Sequence, residues 1–234
     1  MKHLRSFSLG CCLLASVAAS ETFESVKVEA TELPFIPAGL RINGFRTGEV
    51  VVALQVRADG QLGEHLVLAA SHRALIKPCL EALPQWRYTP ARQDGQPVLA
   101  QLQVRIKFKQ EGVIVVNRTV SDVITAKIEA IAGRPYDLAI CPAAELDRPV
   151  EAITTVAPRY AAEAEQDGVR GRVQVEFYID ENGDVRMPAV APGTHPYLST
   201  VAVEALRGWK FEPPTRGGRP VQVAAVQEFA FGPP

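Results

Sequence analysis

Three polar side chains at alternate positions, Asp180, Asn182 and Asp184, have the types and spacing of a calcium-binding loop. A similar stretch 123 residues earlier begins with Arg57 and ends with Gln61, so the same set of oxygen ligands is absent there. Both stretches keep Asp or Asn followed by Gly, which favours a tight type I′ hairpin with positive φ at both central residues. We therefore expect a hairpin turn here and no metal site.

The histidines and carboxylates do not form a recognisable catalytic arrangement. His72 and His195 each follow a Ser or Thr at a predicted helix start, and no Cys-x-x-Cys or His-x-x-x-His spacing is present. No Gly-x-Ser-x-Gly nucleophile motif occurs, and nothing singles out an acid and base pair. We therefore expect no enzyme, no catalytic residue and no cofactor.

Two cysteines, Cys79 and Cys141, lie beyond the N-terminal segment. Cys79 falls on the apolar face of a predicted helix, which favours a buried free thiol. A disulfide with Cys141 is the alternative, because an oxidising compartment permits it. Sequence spacing does not tell whether the two residues are close enough to pair, so both interpretations remain open.

The first 20 residues have the layout of a secretory signal peptide. Lys2 and Arg5 precede an apolar run over 7–19, which ends in small residues. A membrane-spanning helix needs about 20 apolar residues, so the run is short for an anchor. We predict export to the periplasm with residues 1–20 removed. A retained inner-membrane anchor is the alternative, and Cys11 and Cys12 leave lipid attachment as another.

One phrase occurs twice in the chain. Trp86–Pro97 reads WRYTPARQDGQP, and Trp209–Pro220 reads WKFEPPTRGGRP. Aligned without gaps, residues 48–108 and 171–231 share 16 identities in 61 positions. This self-similarity predicts a tandem duplication.

The duplication divides the chain into two units and a connector. We place the units at 34–108 and 158–231, and the connector at 109–157. The connector is expected to be structured, because residues 112–116 read as a strand and residues 121–132 carry a helical apolar stripe.

Each unit is predicted to fold as strand, strand, helix, strand. The first strand shows period-two alternation, and the helix shows apolar residues on one face. In the second unit these are Val173, Val175, Phe177 and Ile179, then Leu198, Ala202, Ala205, Leu206 and Trp209. The fold class is therefore α+β: two tandem β-β-α-β units, each an antiparallel sheet with one main helix packed on it.

The second unit resembles a known family, the C-terminal domain of the energy transducer TonB. The resemblance is carried in order by Pro158-Arg159-Tyr160, by IDENGDV at 179–185, by WKFEP at 209–213 and by GRPV at 218–221. The first unit is similar in a diverged form. The family typically has Tyr-Pro where this chain has Tyr160-Ala161.

The resemblance implies a protein partner in the periplasm. Domains of this family capture an extended segment of an outer-membrane transporter by adding a strand to an exposed sheet edge. Carried onto this chain, the acceptor is the last strand, and its partner-binding residues are Val221, Gln222, Val223, Ala225, Gln227, Phe229 and Phe231.

Two further expectations concern other partners. The net charge of −1 argues against nucleic-acid binding through phosphates. The alternative to a transport-linked binding protein is a non-transducing scaffold or dimerisation protein of the cell envelope. In that alternative the two units pair edge to edge, or the chain forms a homodimer.

Overall fold

A computed structural model describes residues 22–110, 112–119, 138–160, 164, 168–190 and 194–232. The predicted signal segment 1–20 and the helical stripe expected over 121–132 lie outside these residues. No helix in the described ranges has the length and apolar character needed to cross a bilayer.

Antiparallel strands are the main regular structure of the described residues, and helices are fewer. The strands are β1 Phe23–Glu24, β2 Lys27–Glu29, β3 Thr47–Val56, β4 Leu62–Ala70, β5 Arg87–Thr89, β6 Ala91–Gln93, β7 Gln96–Val98, β8 Ala100–Lys109, β9 Gly112–Thr119, β10 Leu138–Ala139, β11 Ala152–Thr154, β12 Gly171–Ile179, β13 Val185–Val190, β14 Lys210–Phe211, β15 Thr215–Arg216, β16 Arg219–Pro220 and β17 Val223–Phe231. The α-helices are α1 Ala38–Ile42, α2 Ile76–Ala82 and α3 Pro196–Arg207, and short 3-10 turns cover Arg73–Leu75, Leu83–Gln85 and Ala143–Glu145. The α+β class is confirmed.

The larger sheet has five strands in the order β10-β4-β3-β8-β9. Alternate side chains of β3 and β8 point to the same face, where they pack with α2 into a first core that includes Leu75, Cys79 and Trp86. The helix therefore packs on the side of this sheet where period-two alternation places the apolar residues.

The smaller sheet has three strands in the order β13-β12-β17. Helix α3 turns Leu198, Ala202 and Leu206 onto it, and a second core forms between the helix and the strands. The helix carries Pro196 in its first turn, where a missing N–H is tolerated, and ends at Gly208.

The central pairs of the two sheets share one register. Gly48 lies opposite Phe108 at one end of β3 and β8, and Gly171 lies opposite Phe231 at one end of β12 and β17. These four residues are related by the same 123-residue offset that the sequence showed. Positions that are equivalent in sequence are therefore equivalent in the sheets.

The tryptophans of the repeated phrase fasten the helix end to an upstream segment. Trp86 is buried and its indole N–H donates to the carbonyl of Glu32 at 2.6 Å. The indole of the half-buried Trp209 donates to the carbonyl of Val156 at 2.9 Å. The strand after each Trp also pairs upstream, β5 with β2 and β14 with β11. The packing of each sheet therefore extends upstream of the predicted unit starts at 34 and 158.

The hairpin turns differ from the predicted type I′ form. Gly60 and Gly183 have φ of +79° and +82°, whereas the residue before each glycine is not left-handed. The carboxylate of Asp180 accepts the backbone N–H groups of Asn182 at 2.9 Å and Asp184 at 3.0 Å. This Asx-type contact holds the middle of the loop in ordinary φ, so only the glycine takes the left-handed position. The type I′ expectation was wrong, because both loops are one residue longer than a two-residue hairpin. The N–H of Gly60 donates to the carbonyl of Arg57 and that of Gly183 to the carbonyl of Asp180, each at 2.9 Å, as in a type I turn followed by a left-handed glycine.

The two sheets contact each other through their faces. Leu66, Leu68 and Ile140 form a third cluster with Tyr178 and Met187, all of them buried. Beside it, the Arg186 Nε donates to the Glu64 carboxylate at 2.5 Å, and the Met187 N–H donates to the same carboxylate at 3.2 Å. The edge-to-edge pairing considered as an alternative is not formed between the described strands.

Substitution of Gly183 by alanine should destabilise the fold much more than substitution of Gly95. A Cβ at Gly183 would lie 2.0 Å from the carbonyl oxygen of Phe211, whereas Gly95, with φ of +78°, has nothing within 4 Å. Gly95→Ala should cost about 1–2 kcal/mol from backbone conformation alone. Gly183→Ala should exceed that by at least about 2 kcal/mol, since the turn must also move away from the strand. Chemical denaturation measures both, and equal losses would contradict the close contact.

Candidate partner-binding edge

Strand β17 is paired along one side only. It runs antiparallel to β12 from Ile179↔Val223 to Gly171↔Phe231 without a register shift. Within the described ranges, no strand lies on its other side, where only an isolated bridge joins Val223 to Cys141. The equivalent strand β8 is paired on both sides, with β3 and with β9. The edge of β17 is therefore the candidate site for strand addition.

One hydrogen bond identifies which backbone groups of β17 face this open side. The N–H of Cys141 donates to the carbonyl of Gln222 at 2.7 Å from the side opposite β12. Backbone groups of successive strand residues point to opposite edges, so every second residue after Gln222 faces outward. These residues are Ala224, Val226, Glu228 and Ala230.

The open edge has a defined length. Cys141 covers its beginning, and the chain then leaves the edge through Pro142 into the 3-10 turn Ala143–Glu145. Farther along, the side-chain amide of Gln227 donates to the carbonyl of Glu228 at 2.8 Å. The outward main-chain groups that no described strand pairs thus run from the carbonyl of Ala224 to Ala230, and Gln227 holds one of them, the carbonyl of Glu228.

The predicted partner-binding residues lie mostly on the inner face of β17. Val223, Phe229 and Phe231 are buried in the second core, and Ala225 and Gln227 are half-buried on the same face. Their side chains fix the strand against α3. Their part in partner binding stays a prediction. The backbone groups that face the open side belong to the residues between them.

The two remaining predicted residues precede the strand. Val221 donates its N–H to the carbonyl of Pro214 at 2.9 Å, and the side-chain amide of Gln222 donates to Glu181 at 3.1 Å. They hold the entry to β17 in place. The sequence prediction began the strand two residues early, at Val221.

The exposed side chains of β17 were missed by the sequence prediction. Val226 is 48% exposed, and Glu228 and Ala230 are also exposed. Since Phe229 and Phe231 are inward, period-two alternation assigns these intervening residues to the outer face. That signal was present in the sequence.

An ion pair lies beside the open edge. The guanidinium of Arg172 contacts the Glu228 carboxylate at 3.0 Å, and the amide of Gln174 contacts the same carboxylate at 3.5 Å. Arg172 is 76% exposed in its side chain, so the pair contributes little to stability. The edge therefore offers mainly backbone groups and one aliphatic side chain, Val226.

A carboxylate anchors the turn that precedes β17. Asp147 accepts the backbone N–H groups of Gly217 at 2.7 Å and Gly218 at 2.9 Å. The N–H of Gly218, followed by that of Gly217 and the hydroxyl of Thr215, lowers the pKa of Asp147. The hairpin of β15 and β16 is thereby tied to the segment that also carries Cys141.

The two cysteines are free thiols in this structure, so no disulfide joins them. Cys79 lies in the first core, and burial raises its pKa from 9.0 to about 12. Cys141 lies beside Val223, where burial raises its pKa although Arg216 acts in the opposite direction. Both side chains are buried, so neither thiol is poised for nucleophilic chemistry.

The described residues show no group of three or more His, Cys, Asp and Glu side chains that could hold a metal ion. Asp180, the first residue of the predicted calcium alternative, is 8% exposed, and its carboxylate is occupied by the turn. Asp184 contacts Lys210 Nζ at 2.6 Å. The turn therefore uses these carboxylates for its own backbone and for an ion pair.

Comparison with known proteins places two segments of the chain in one family. The family model for the Gram-negative bacterial TonB protein C-terminal matches residues 43–110 and 156–233. A curated relative, Protein TonB of Vibrio cholerae serotype O1, is 34% identical over 86 residues, which cover 36% of this chain and 35% of that protein. The chain thus spans about a third of the length of this relative.

One solved structure is also similar. The solution NMR structure of Pseudomonas aeruginosa TonB CTD is 27% identical, and the match covers 36% of this chain and 87% of that chain, with a TM-score of 0.31.

Thiol labelling should separate the two interpretations of the cysteines. In the folded mature protein, Cys79 and Cys141 should react with a maleimide far more slowly than a free cysteine, because both are buried and their pKa values are raised. After denaturation without reductant, both should label. Failure to label until a reductant is added would show that the two residues pair.

The stabilising contribution of Asp147 should depend on pH. Its pKa is lowered in the folded state, so its contribution is present above the ordinary value of 3.8 and is lost as the pH falls through the folded pKa. The unfolding midpoint of Asp147→Asn should therefore lie below wild type at neutral pH and converge on it in acid. Asp94→Asn is the control, because Asp94 is also an exposed turn carboxylate and accepts one backbone N–H, that of Thr22 at 2.9 Å. A gap that persists undiminished in acid would contradict the assignment.

Proposed function

Because the chain belongs to the family of Gram-negative bacterial TonB C-terminal domains, we propose that it binds an extended segment of a partner protein by strand addition to β17. The open side of β17 is the observation that supports this proposal. The main chain of a partner would pair with the outward groups of Val226, Glu228 and Ala230.

The proposed mode of binding follows from what this edge offers. Main-chain hydrogen bonds supply affinity and tolerate many sequences, while side chains that lie beside the edge supply selectivity. Val226 gives an aliphatic contact on the outer face, and the ion pair of Arg172 with Glu228 lies next to it. A partner strand would therefore be recognised by its extended backbone first and by its side chains second.

The proposed partner is an outer-membrane transporter, and the proposed location is the periplasm. Domains of this family act there on such transporters, and the curated relative is itself named Protein TonB. The layout of residues 1–20 is consistent with export. Both statements rest on family membership and on the predicted signal.

We further propose that the two matched segments are copies of one β-β-α-β unit. The shared register of Gly48 with Phe108 and Gly171 with Phe231 supports this. The shared use of a Trp indole to bind an upstream carbonyl also supports it. Only the second copy would then present an open third strand.

The alternative function is that of a non-transducing envelope scaffold or a homodimer. The same open edge favours it, because two copies of β17 can pair antiparallel across a two-fold axis. Sedimentation of the mature chain over a range of concentrations distinguishes this alternative, because a dimer dissociates on dilution. In such a dimer the two β17 edges cover each other and are closed to a partner strand.

Proline at Val226 should close the edge without breaking the fold. The N–H of Val226 faces the open side, so proline removes a donor to the partner and leaves the ladder with β12 complete. The backbone φ of a strand residue can reach the value that proline requires. Against an array of short peptides from the periplasm-facing segments of outer-membrane transporters, Val226→Pro should weaken binding about tenfold or more, the effect of losing one hydrogen bond and its neighbours.

Val226→Ala is the matched control, because it removes the same aliphatic side chain and keeps the N–H. It should retain most of the binding, and thermal unfolding should show that both variants are folded. If the proline and alanine variants bind equally well, or if no peptide binds the wild-type chain, strand addition at β17 is wrong.

A further inference from the structure

Strand β9 pairs with the outer edge of β8, and the equivalent edge of β17 has no strand beside it in the described residues. The equivalence follows from the shared register, in which Phe108 on β8 corresponds to Phe231 on β17. In the larger sheet, β9 pairs with β8 over its whole length, from Lys109↔Gly112 to Leu102↔Thr119. The acceptor edge of the first segment is therefore occupied by the chain itself.

The backbone directions on β8 support this equivalence. The N–H of Gln110 donates to the carbonyl of Arg46 at 3.1 Å, on the side of β3. Alternation then turns the backbone groups of Arg105 and Lys107 toward β9. By the same offset these two residues correspond to Glu228 and Ala230, which face outward on β17.

Strand β9 also covers apolar surface. Val113 and Val115 are half-buried against the first core, and Ile114 between them is 46% exposed. An added strand on this edge thus pairs its backbone and packs alternate aliphatic side chains on the helix side of the sheet. Main-chain hydrogen bonds and contacts by alternate side chains are the two interactions that proteins use in strand addition.

We infer that β9 is a built-in occupant of the first acceptor edge, so that each chain presents one acceptor edge, on β17, and would gain a second if β9 were displaced. This inference rests on the proposed function only in treating the third strand of each sheet as an acceptor. It assigns the connector segment 112–119 the role of a competitor for extended partners.

The chain connection makes that competition strongly one-sided. Strands β8 and β9 are joined through residues 110–111 alone, so β9 is always held next to its edge. A tether this short gives an effective concentration of about millimolar. A free peptide at micromolar concentration cannot displace a strand held in this way.

A peptide added in trans tests the inference. The probe is a fluorescent peptide with the sequence GVIVVNRT of residues 112–119. The acceptor is the chain with Val226→Pro, so that β17 is closed, and with residues 112–119 replaced by a Gly-Ser linker of equal length. Fluorescence polarisation should show saturable binding of one peptide per chain. The Val226→Pro chain with intact β9 should bind at least about tenfold more weakly, because its edge is filled.

A matched peptide tests whether the backbone carries the contact. Ile114 pairs with Lys107, so its N–H faces β8, and its side chain is exposed. The peptide with Ile114→Pro should lose binding, whereas the peptide with Ile114→Ala should keep it. Equal binding by these two peptides, or no binding to a linker variant that unfolds cooperatively, would overturn the inference.

Hydrogen exchange in the unmodified chain gives a second measurement that does not depend on the linker variant. The backbone N–H groups of Arg105 and Lys107 should exchange about a hundredfold more slowly than those of Val226 and Ala230. Similar exchange at the two edges would show that β9 does not occupy the first edge. The result also separates this inference from partner binding at β17, because no partner is present in the experiment.

Discussion

Every backbone N–H and C=O of a strand needs a hydrogen-bonding partner, and the third strand of each sheet meets this need differently. On β8 the partner is β9, which the chain supplies itself. On β17, Cys141 satisfies the first position, the Gln227 side chain satisfies the carbonyl of Glu228, and water must satisfy the rest between the carbonyl of Ala224 and Ala230. An extended segment that replaces that water, and the Gln227 amide at Glu228, adds a row of hydrogen bonds without any rearrangement of the sheet. The proposed function of this chain therefore depends on a pairing that one sheet completes and the other leaves incomplete.

The elements that could be predicted were those that local periodicity determines and that the chain repeats. Alternation in β3 and β12, one apolar helical face, and an Asp/Asn-Gly turn each appeared twice at a fixed offset, so each prediction was made twice from independent residues. The turn type was wrong, because each loop closes as a type I turn followed by a left-handed glycine, a three-residue loop that the Asp/Asn-Gly dipeptide does not distinguish from a two-residue one. The strand start at Val221 was two residues early, because the N–H of Val221 is bound by the carbonyl of Pro214 and the ladder with β12 begins at Ile179↔Val223.

The contact between the two sheets could not be predicted from either unit alone. Tyr178 is on the polar side of its strand by alternation, yet it is buried, since one end of that face packs against the larger sheet. The backbone of Met187 has φ of +49° there, a value that residues other than glycine seldom adopt. Its N–H donates to Glu64, and its carbonyl accepts from the Gln101 side chain. Both faces of the smaller sheet are therefore covered at this end, while Arg172 at the other end is exposed. The end of the smaller sheet that is covered on both faces lies near the Cys141 bridge, and the unpaired part of β17 extends away from that end.

An open edge exposes a chain to pairing with other copies, and the features around β17 limit that risk. The uncovered stretch is short, since the bridge to Cys141 covers its beginning. The charged Glu228 lies in its middle, so two β17 strands that pair antiparallel about this residue would bring two carboxylates together. Arg172 neutralises this charge only partly, because both side chains are well exposed to water. A partner strand with an uncharged or basic residue at that position would not meet the same repulsion. The edge therefore disfavours a second copy in the Glu228-centred register, and this repulsion is the reason for placing strand addition by a partner ahead of self-pairing among the two proposed functions.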